Sequence, residues 1–428
     1  MNARVRRAGV AVVPLLIVAC STPRPPVFTD IVPGGAPPPD SVDAVMLFVG
    51  DAGEAVEGRS PLLDRMKQEI EVWSGLLGRD SSVTVLFLGD NVYPVGVRER
   101  SHSSFARDSA ILWGQIGLLA GPNARARGTI GYFLAGNHDW GNMRGAAGRR
   151  RLQNMEEQIQ QARRSGIPVE LAPPAGDAGP AVRDVRENTR LLMIDTHLFL
   201  QEQSLAARLA FISGIENAIE AAGDRHLLIA AHHPFASAGP HGAILAPVSK
   251  VLGLVYLLQK SGTLVQDLNS PIYADLLARL KDVFSRTRRP LAFIGGHDHS
   301  LQVHAGTTMS EPEHILVSGA GSKSTALTGA DSLLYGTSQP GFMSLIFRKQ
   351  GAVDLFVIAG RDTETAKQCP PAEQDGNCLQ EEREAFGVVY SERLAFGKPP
   401  DTMPSVRPDT SQSVRTDTHP RPGPAGRR

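Results

Sequence analysis

Five short segments of the 428-residue chain carry side chains able to ligate a metal ion, and each follows an apolar run. Asp51 stands in Val49-Gly50-Asp51-Ala52-Gly53, and Asp90 and Tyr93 stand in Gly89-Asp90-Asn91-Val92-Tyr93. Asn137 lies in Gly136-Asn137-His138-Asp139, His232 in Ala231-His232-His233-Pro234, and His297 and His299 in Gly295-Gly296-His297-Asp298-His299. Taken singly, each has a bland reading: Gly-Asp is a common turn, Asn-His-Asp a polar loop, His-His before proline a half-buried pair bonded to backbone. Together, with glycine ahead of the first three to permit sharp turns, they describe one site of carboxylate, amide and imidazole donors. That mixture suits Zn, Fe or Mn rather than Ca. One carboxylate can bridge two ions, and two ions about 3.5–4 Å apart clamp a phosphoryl group during transfer.

Such donors need elements that end together. Apolar runs of mostly four to six residues at 44–49, 83–88, 130–134, 191–194, 227–230, 291–294, 315–317, 342–347 and 353–358 read as buried strands. Helical patterns lie between them at 61–77, 104–119, 146–164, 205–222 and 272–285. The fourth sets Leu205, Leu209, Ile212, Ile215 and Ile219 at three- and four-residue spacing, as a core-facing stripe. Alternation of this kind predicts an α/β domain with two sheets. The late strands lack long helices between them, which predicts an antiparallel portion. In such folds, sites assemble in loops at the carboxyl ends of strands, where these five segments fall.

Composition narrows the function. Lys+Arg and Asp+Glu are both 44, so the net charge is zero and a broad basic surface for nucleic acid is not expected. No apolar run reaches about 18 residues, which excludes a multi-span membrane protein. Three cysteines are too few for a disulfide framework or a zinc ribbon. Arg149-Arg150-Arg151 reads as a solvated helix start, and Trp140 either lines a mouth or seals the core.

The set Gly89-Asp90-Asn91, Gly136-Asn137-His138-Asp139 and Gly295-Gly296-His297-Asp298-His299 resembles the block motifs of calcineurin-like metallophosphoesterases. Within that group the chain resembles the small, mammalian tartrate-resistant type of purple acid phosphatase over roughly residues 43–360. Most members of the wider group carry Asp-x-His at the first strand end. Here Ala52 and Gly53 follow Asp51, and Tyr93 follows Asp90 instead, the exchange of a histidine ligand for a tyrosinate that purple acid phosphatases make. GGHDHSLQ at 295–302, Ser318-Gly319-Ala320-Gly321, and His241 seven residues after Pro234 extend the match.

The resemblance implies a four-layer α/β/β/α sandwich with two mixed β-sheets and the metals at one edge. It implies two metal ions, Fe(III) with Fe(II), Zn or Mn. Asp51, Asp90, Tyr93 and His299 would hold the first ion, and Asp90, Asn137, His232 and His297 the second, with Asp90 bridging. A metal-bound hydroxide would attack a phosphomonoester, while His138 and His241 would bind phosphate and protonate the leaving group. A phosphodiesterase acting on nucleotides or lipid head groups, and a non-catalytic binding protein on the same fold, are the alternatives. Ala231 and Ala52 depart from the family pattern without removing a ligand. His233 stands where the family commonly has tyrosine, and the 247–289 stretch is longer than small members suggest. Its apolar part at 251–258 reads as a core helix, a cap over the site or a surface that touches lipid, with core or cap favoured.

The ends carry their own expectations. Arg4, Arg6 and Arg7 precede twelve mostly apolar residues that finish Ile17-Val18-Ala19-Cys20, which resembles a bacterial lipobox. The expected division is a signal peptide at 1–19, a lipidated Cys20 with a Pro-rich tether to 42, the phosphoesterase domain at 43–396, and a disordered Pro-rich tail at 397–428. Loss of three arginines would leave 41 basic against 44 acidic residues. Acyl chains, not charge, would then hold a monomer outside the cytoplasm. Cys369 and Cys378 are placed to form a disulfide there.

Overall fold

The computed structural model describes residues 37–396 apart from 55–59, 78–81, 127, 144, 203, 241–267, 269 and 361–384. Cys20, His241, the 251–258 stretch, Cys369, Cys378 and the 397–428 tail lie outside the described residues.

In chain order the strands are β1 (Val42–Val49), β2 (Ser82–Phe87), β3 (Ile130–Phe133), β4 (Val169–Leu171), β5 (Ala181–Asp184), β6 (Thr189–Met193) and β7 (His226–Ala230). They continue as β8 (Ala292–Gly295), β9 (Leu301–Ala305), β10 (His314–Ser318), β11 (Leu333–Thr337), β12 (Gly341–Arg348), β13 (Val353–Gly360) and β14 (Phe386–Ala395). The helices are α1 (Pro61–Leu76), α2 (Phe105–Ile116), α3 (Pro122–Ala126), α4 (Gly145–Arg164), α5 (Thr196–Gln201), α6 (Leu205–Glu220) and α7 (Pro271–Arg286). One sheet runs β14-β13-β12-β1-β2-β3-β4 and the other β11-β9-β10-β8-β7-β6-β5. β1 to β4 pair in parallel, and β12 to β14 add antiparallel strands beyond β1. β6, β7, β8 and β10 are likewise parallel, with β5, β9 and β11 antiparallel. All nine expected apolar runs lie on strands, and the late ones are the antiparallel portion.

Period-two alternation builds the layers. Val45, Leu47 and Val49 of β1 join Leu62, Met66, Ile111 and Leu152 of the outer helices. The intervening Ala44, Met46 and Phe48 join Leu191, Leu228, Val303 and Leu316 of the second sheet. On the far side Leu192, Ile229 and Phe293 pack with Phe211, Ile215, Leu276 and Leu280 of α6 and α7. The order is therefore helix, sheet, sheet, helix, the four-layer α/β/β/α sandwich. A strand buried on both faces has no place for a charge, which is why β1 reads almost wholly apolar.

Local chemistry fixes the helix starts. Ser60, Ser204 and Ser270 accept hydrogen bonds from the amides of Leu63, Ala207 and Tyr273, with Pro61 and Pro271 at the first helical positions. One stripe differs from expectation. Leu205 and Leu209 are 60% and 46% exposed, while Phe211 takes the inward position. The buried positions of α6 begin at Phe211, so its N-terminal end stays at the surface. Helix α7, within the long 247–289 stretch, is a core helix of the outer layer.

Candidate metal centre

The five segments meet at one edge of the sandwich. Asp51 N–H donates to the Gly89 carbonyl (2.9 Å), Gly50 N–H to Ser318 (2.7 Å) and Gly296 N–H to His232 (2.8 Å). The ends of β1, β2, β7, β8 and β10 are thus stitched together across the two sheets. Asp51, Asp90 and His297 all adopt left-handed backbone, with φ of 59°, 54° and 69°. For residues with a Cβ this conformation costs on the order of 1–3 kcal/mol each and concentrates at functional sites. It turns the chain sharply after the strand and points each side chain back into the cleft. The glycine ahead of Asn137 is a packing requirement: a Cβ on Gly136 would lie 2.2 Å from Asp90 Oδ1.

All seven expected metal-ligand side chains reach the cleft, in two groups. In the first, Tyr93 Oη donates to Asp51 Oδ1 at 2.9 Å and lies 3.2 Å from His299 Nε2, which is 3.6 Å from Asp51 Oδ1. In the second, His232 Nε2 lies 3.0 Å from Asn137 Oδ1, 3.2 Å from His297 Nδ1 and 3.4 Å from Asp90 Oδ1. Ligand atoms of Asp51, Asp90 and His232 all fall within 4.8 Å of one another, so the two groups adjoin. These three residues are buried and could hold a metal ion.

The surrounding hydrogen bonds fix which atoms face inward. His232 Nδ1 lies 2.9 Å from the Leu88 carbonyl, an acceptor only, so Nδ1 carries the hydrogen. That leaves the Nε2 lone pair directed at Asn137 Oδ1. The Asn137 amide is oriented by its own Nδ2, which donates to Asn142 Oδ1 at 2.8 Å. Two acceptor atoms therefore face each other at 3.0 Å, an arrangement that a cation between them, a proton or a metal ion, would relieve. The acidic side tells the same story. Burial and then the neighbouring Asp90 push Asp51 well above the usual carboxylate range. Burial and then the Asp51 and Asp90 charges push the Tyr93 phenol up. Bound divalent or trivalent cations reverse these effects, because they become the largest local charges. The donor set fits metal ions.

Around this centre the remaining candidates separate. His138 lies at the rim, its side chain 29% exposed. Its Nδ1 donates to the Pro94 carbonyl at 2.6 Å, its ring meets that of Tyr93 at 4.6 Å, and its Nε2 lies 3.9 Å from Asp90 Oδ2. His233 is buried behind the donors, with Nδ1 2.7 Å from Thr196 Oγ1 and its ring 4.4 Å from that of His297. Asp139 lies beneath the loops and accepts from the amides of Asn91, Val92 and Gly136 and from Asn91 Nδ2. It ties the second and third loops together. Trp140 is buried, stacks on His197 and donates to Asp195 Oδ2 at 2.9 Å, so it seals the core.

Sequence reading passed over Asn142, whose signal was its place five residues after Asn137, and Lys323. The loop after β10 wraps the first group: Gly321 N–H donates to the Gly50 carbonyl and Thr325 N–H to that of His299. Lys323 Nζ lies 3.6 Å from the centroid of the Tyr93 ring. It stands two residues after the Ser318–Gly321 motif, the local signal that it belongs here.

No protein-family model matches the chain, and no curated protein matches it. Among solved structures it is similar to GAP50, the anchor in the inner membrane complex of Plasmodium, with a TM-score of 0.51 and 16% identity over 83% of this chain and 90% of that one. A purple acid phosphatase, PPD1, from yellow lupin (Lupinus luteus) seeds aligns with a TM-score of 0.44 and 14% identity, over 74% of this chain and 51% of that one. At these identities the first likeness establishes a shared fold, and the chemistry rests on the side chains of this chain alone.

Proposed function

We propose that the chain is a dinuclear-metal phosphatase that hydrolyses phosphomonoesters. The observation that carries this reading is the meeting of Asn137 Oδ1 and His232 Nε2 at 3.0 Å, two inward-facing acceptors beside the Asp90 carboxylate. Asp51, Asp90, Tyr93 and His299 would hold one ion, and Asp90, Asn137, His232 and His297 the other. A phenolate and two carboxylates are hard donors, which favours Fe(III) in the first position, with Fe(II), Zn or Mn in the second. Such ions, when bound, supply Lewis-acid polarisation of a phosphoryl group and lower the pKa of water.

The chain's own residues do the rest. The Pro94 carbonyl holds Nδ1–H of His138 and so turns Nε2 to the rim, where it would face a phosphoryl oxygen. The buried donors beneath it exclude bulk water. His241, which lies outside the described residues, is assigned the proton for the leaving oxygen, with the roles exchangeable between the two histidines. Phosphodiesters are the second substrate class, and the lipobox-like end at Cys20 supports a location outside the cytoplasm, with lipid on Cys20 anchoring what would be a monomer. Among the described residues no helix is long and apolar enough to cross a membrane.

The test is metal analysis of the purified protein with rates on 4-nitrophenyl phosphate and bis(4-nitrophenyl) phosphate. Two ions per chain and a faster monoester reaction are expected, with a visible colour that Tyr93→Phe removes. A faster diester reaction would reassign the substrate class. Two bound ions with no hydrolysis would leave a binding protein on this fold.

A further inference from the structure

Lys323 is built into the metal centre without belonging to its donor set. Its neighbour Ser322 donates through Oγ to the Asp51 carbonyl and accepts from the Glu54 amide at 3.2 Å. Two residues further on, Thr325 N–H donates to the His299 carbonyl at 2.8 Å. The backbone on both sides of Lys323 is thus tied to residues of the first donor group. Its ammonium rests over the Tyr93 ring, 3.6 Å from the centroid, and 3.1 Å from Glu54 Oε2. The Tyr93 hydroxyl points the other way, inward to Asp51.

We infer that Lys323 binds a second anionic group of the substrate, a carboxylate or a further phosphate carried by the alcohol portion, and so selects esters with two anionic ends. This rests on the phosphatase reading above. The phosphoryl group under attack is already served by the two donor groups and His138. The Lys323 side chain is 31% exposed and that of Glu54 50% exposed, so both meet solvent beside the Tyr93 ring, and on this inference the alcohol portion lies there. Their ion pair is weak because exposed partners are screened by water and salt. Contact with the aromatic face holds the ammonium in place without using its hydrogens as bonds. An incoming oxyanion therefore displaces Glu54 at little cost and meets a positioned cation with three donors.

The test uses the metal-loaded full chain and two phosphonates that cannot be hydrolysed. Propylphosphonate and 3-phosphonopropionate differ in a terminal carboxylate, and calorimetric titration gives the affinity of each. The wild type should prefer 3-phosphonopropionate. Lys323→Gln should weaken that ligand roughly tenfold, as expected for one charged hydrogen bond, and leave propylphosphonate unchanged. Lys323→Arg should keep the preference. Equal weakening of both ligands, no weakening of either, or no preference in the wild type overturns the inference. Rates on 4-nitrophenyl phosphate report on the phosphatase reading separately. Hydrolysis without the preference removes the role of Lys323 and leaves catalysis standing. The preference without hydrolysis does the reverse.

Discussion

Replacing Asn142 with glycine should weaken one metal position and spare the other. Asn142 offers no atom to either cation position; its Oδ1 accepts from Asn137 Nδ2 at 2.8 Å and so turns Asn137 Oδ1 towards His232. Without that acceptor the Asn137 amide can rotate and present its NH2 to the cation position. Glycine is the suitable replacement because Asn142 has a φ of 55°, which alanine would adopt only with strain. A neutral intramolecular hydrogen bond is worth about 0.5–1.5 kcal/mol net. At about 1.36 kcal/mol per decade, the affinity of the Asn137–His232–His297 position should fall roughly twofold to twelvefold. Buried outer-shell partners elsewhere are worth about 10–100-fold, and the exposure of Asn142 sets the smaller figure. Titration of the metal-free protein with Mn(II), resolved into two steps, measures this. One step should weaken while the Tyr93–Asp51–His299 step holds. Two unchanged steps would refute the assignment of Asn142 as the residue that orients Asn137. Equal weakening of both would show that the substitution acts through the fold.

The proton donor should reveal itself through the leaving group. Replacing the true acid, assigned to His241 with His138 holding phosphate oxygens, should slow alkyl phosphates by about 10²–10⁴-fold and aryl phosphates far less. Wild-type rates on every ester for both His138→Ala and His241→Ala would dismiss the pair. Burial raises Asp195 to about 7, and this residue lies away from the metal donors, bonded to Trp140 and Leu198. The folded protein therefore keeps a proton on Asp195 between about pH 4 and 7 that the unfolded chain has lost. Stability falls as pH rises through that window, by up to about 4 kcal/mol. Melting temperatures of the metal-loaded protein from pH 5 to 8 should decline, and Asp195→Asn should flatten the decline; parallel curves would count against it. Fatty-acid labelling of cells should mark the wild type and not Cys20→Ser, and equal labelling would end the lipoprotein proposal. Mass spectrometry of the exported, non-reduced protein should find Cys369 joined to Cys378 rather than two free thiols.

What the sequence by itself determined was local. The nine apolar runs became strands because a chain buried on both faces is nearly continuous in Val, Ile, Leu and Phe. The serine caps and first-turn prolines set the starts of α1, α6 and α7 through bonds spanning three residues. The seven metal-ligand types were legible because each follows a strand directly. Strands of mixed polarity were not legible. β5 is half-exposed along its length, β14 pairs only β13 in the described sheet and shows solvent-facing positions, and β9 buries Gln302 and His304. Periodicity carries no signal where burial does not alternate with polarity. Tertiary structure alone decided that Leu205 and Leu209 face water, that Trp140 seals the core, and that His233 packs behind His297 rather than among the donors. It also decided that Asp51, Asp90 and His232 converge within 4.8 Å of one another and that Lys323 rests on Tyr93. These facts depend on which strand ends are neighbours across two sheets. Strand order is fixed by contacts between residues hundreds of positions apart, such as Gly50 with Ser318, and a local pattern of residues does not encode it.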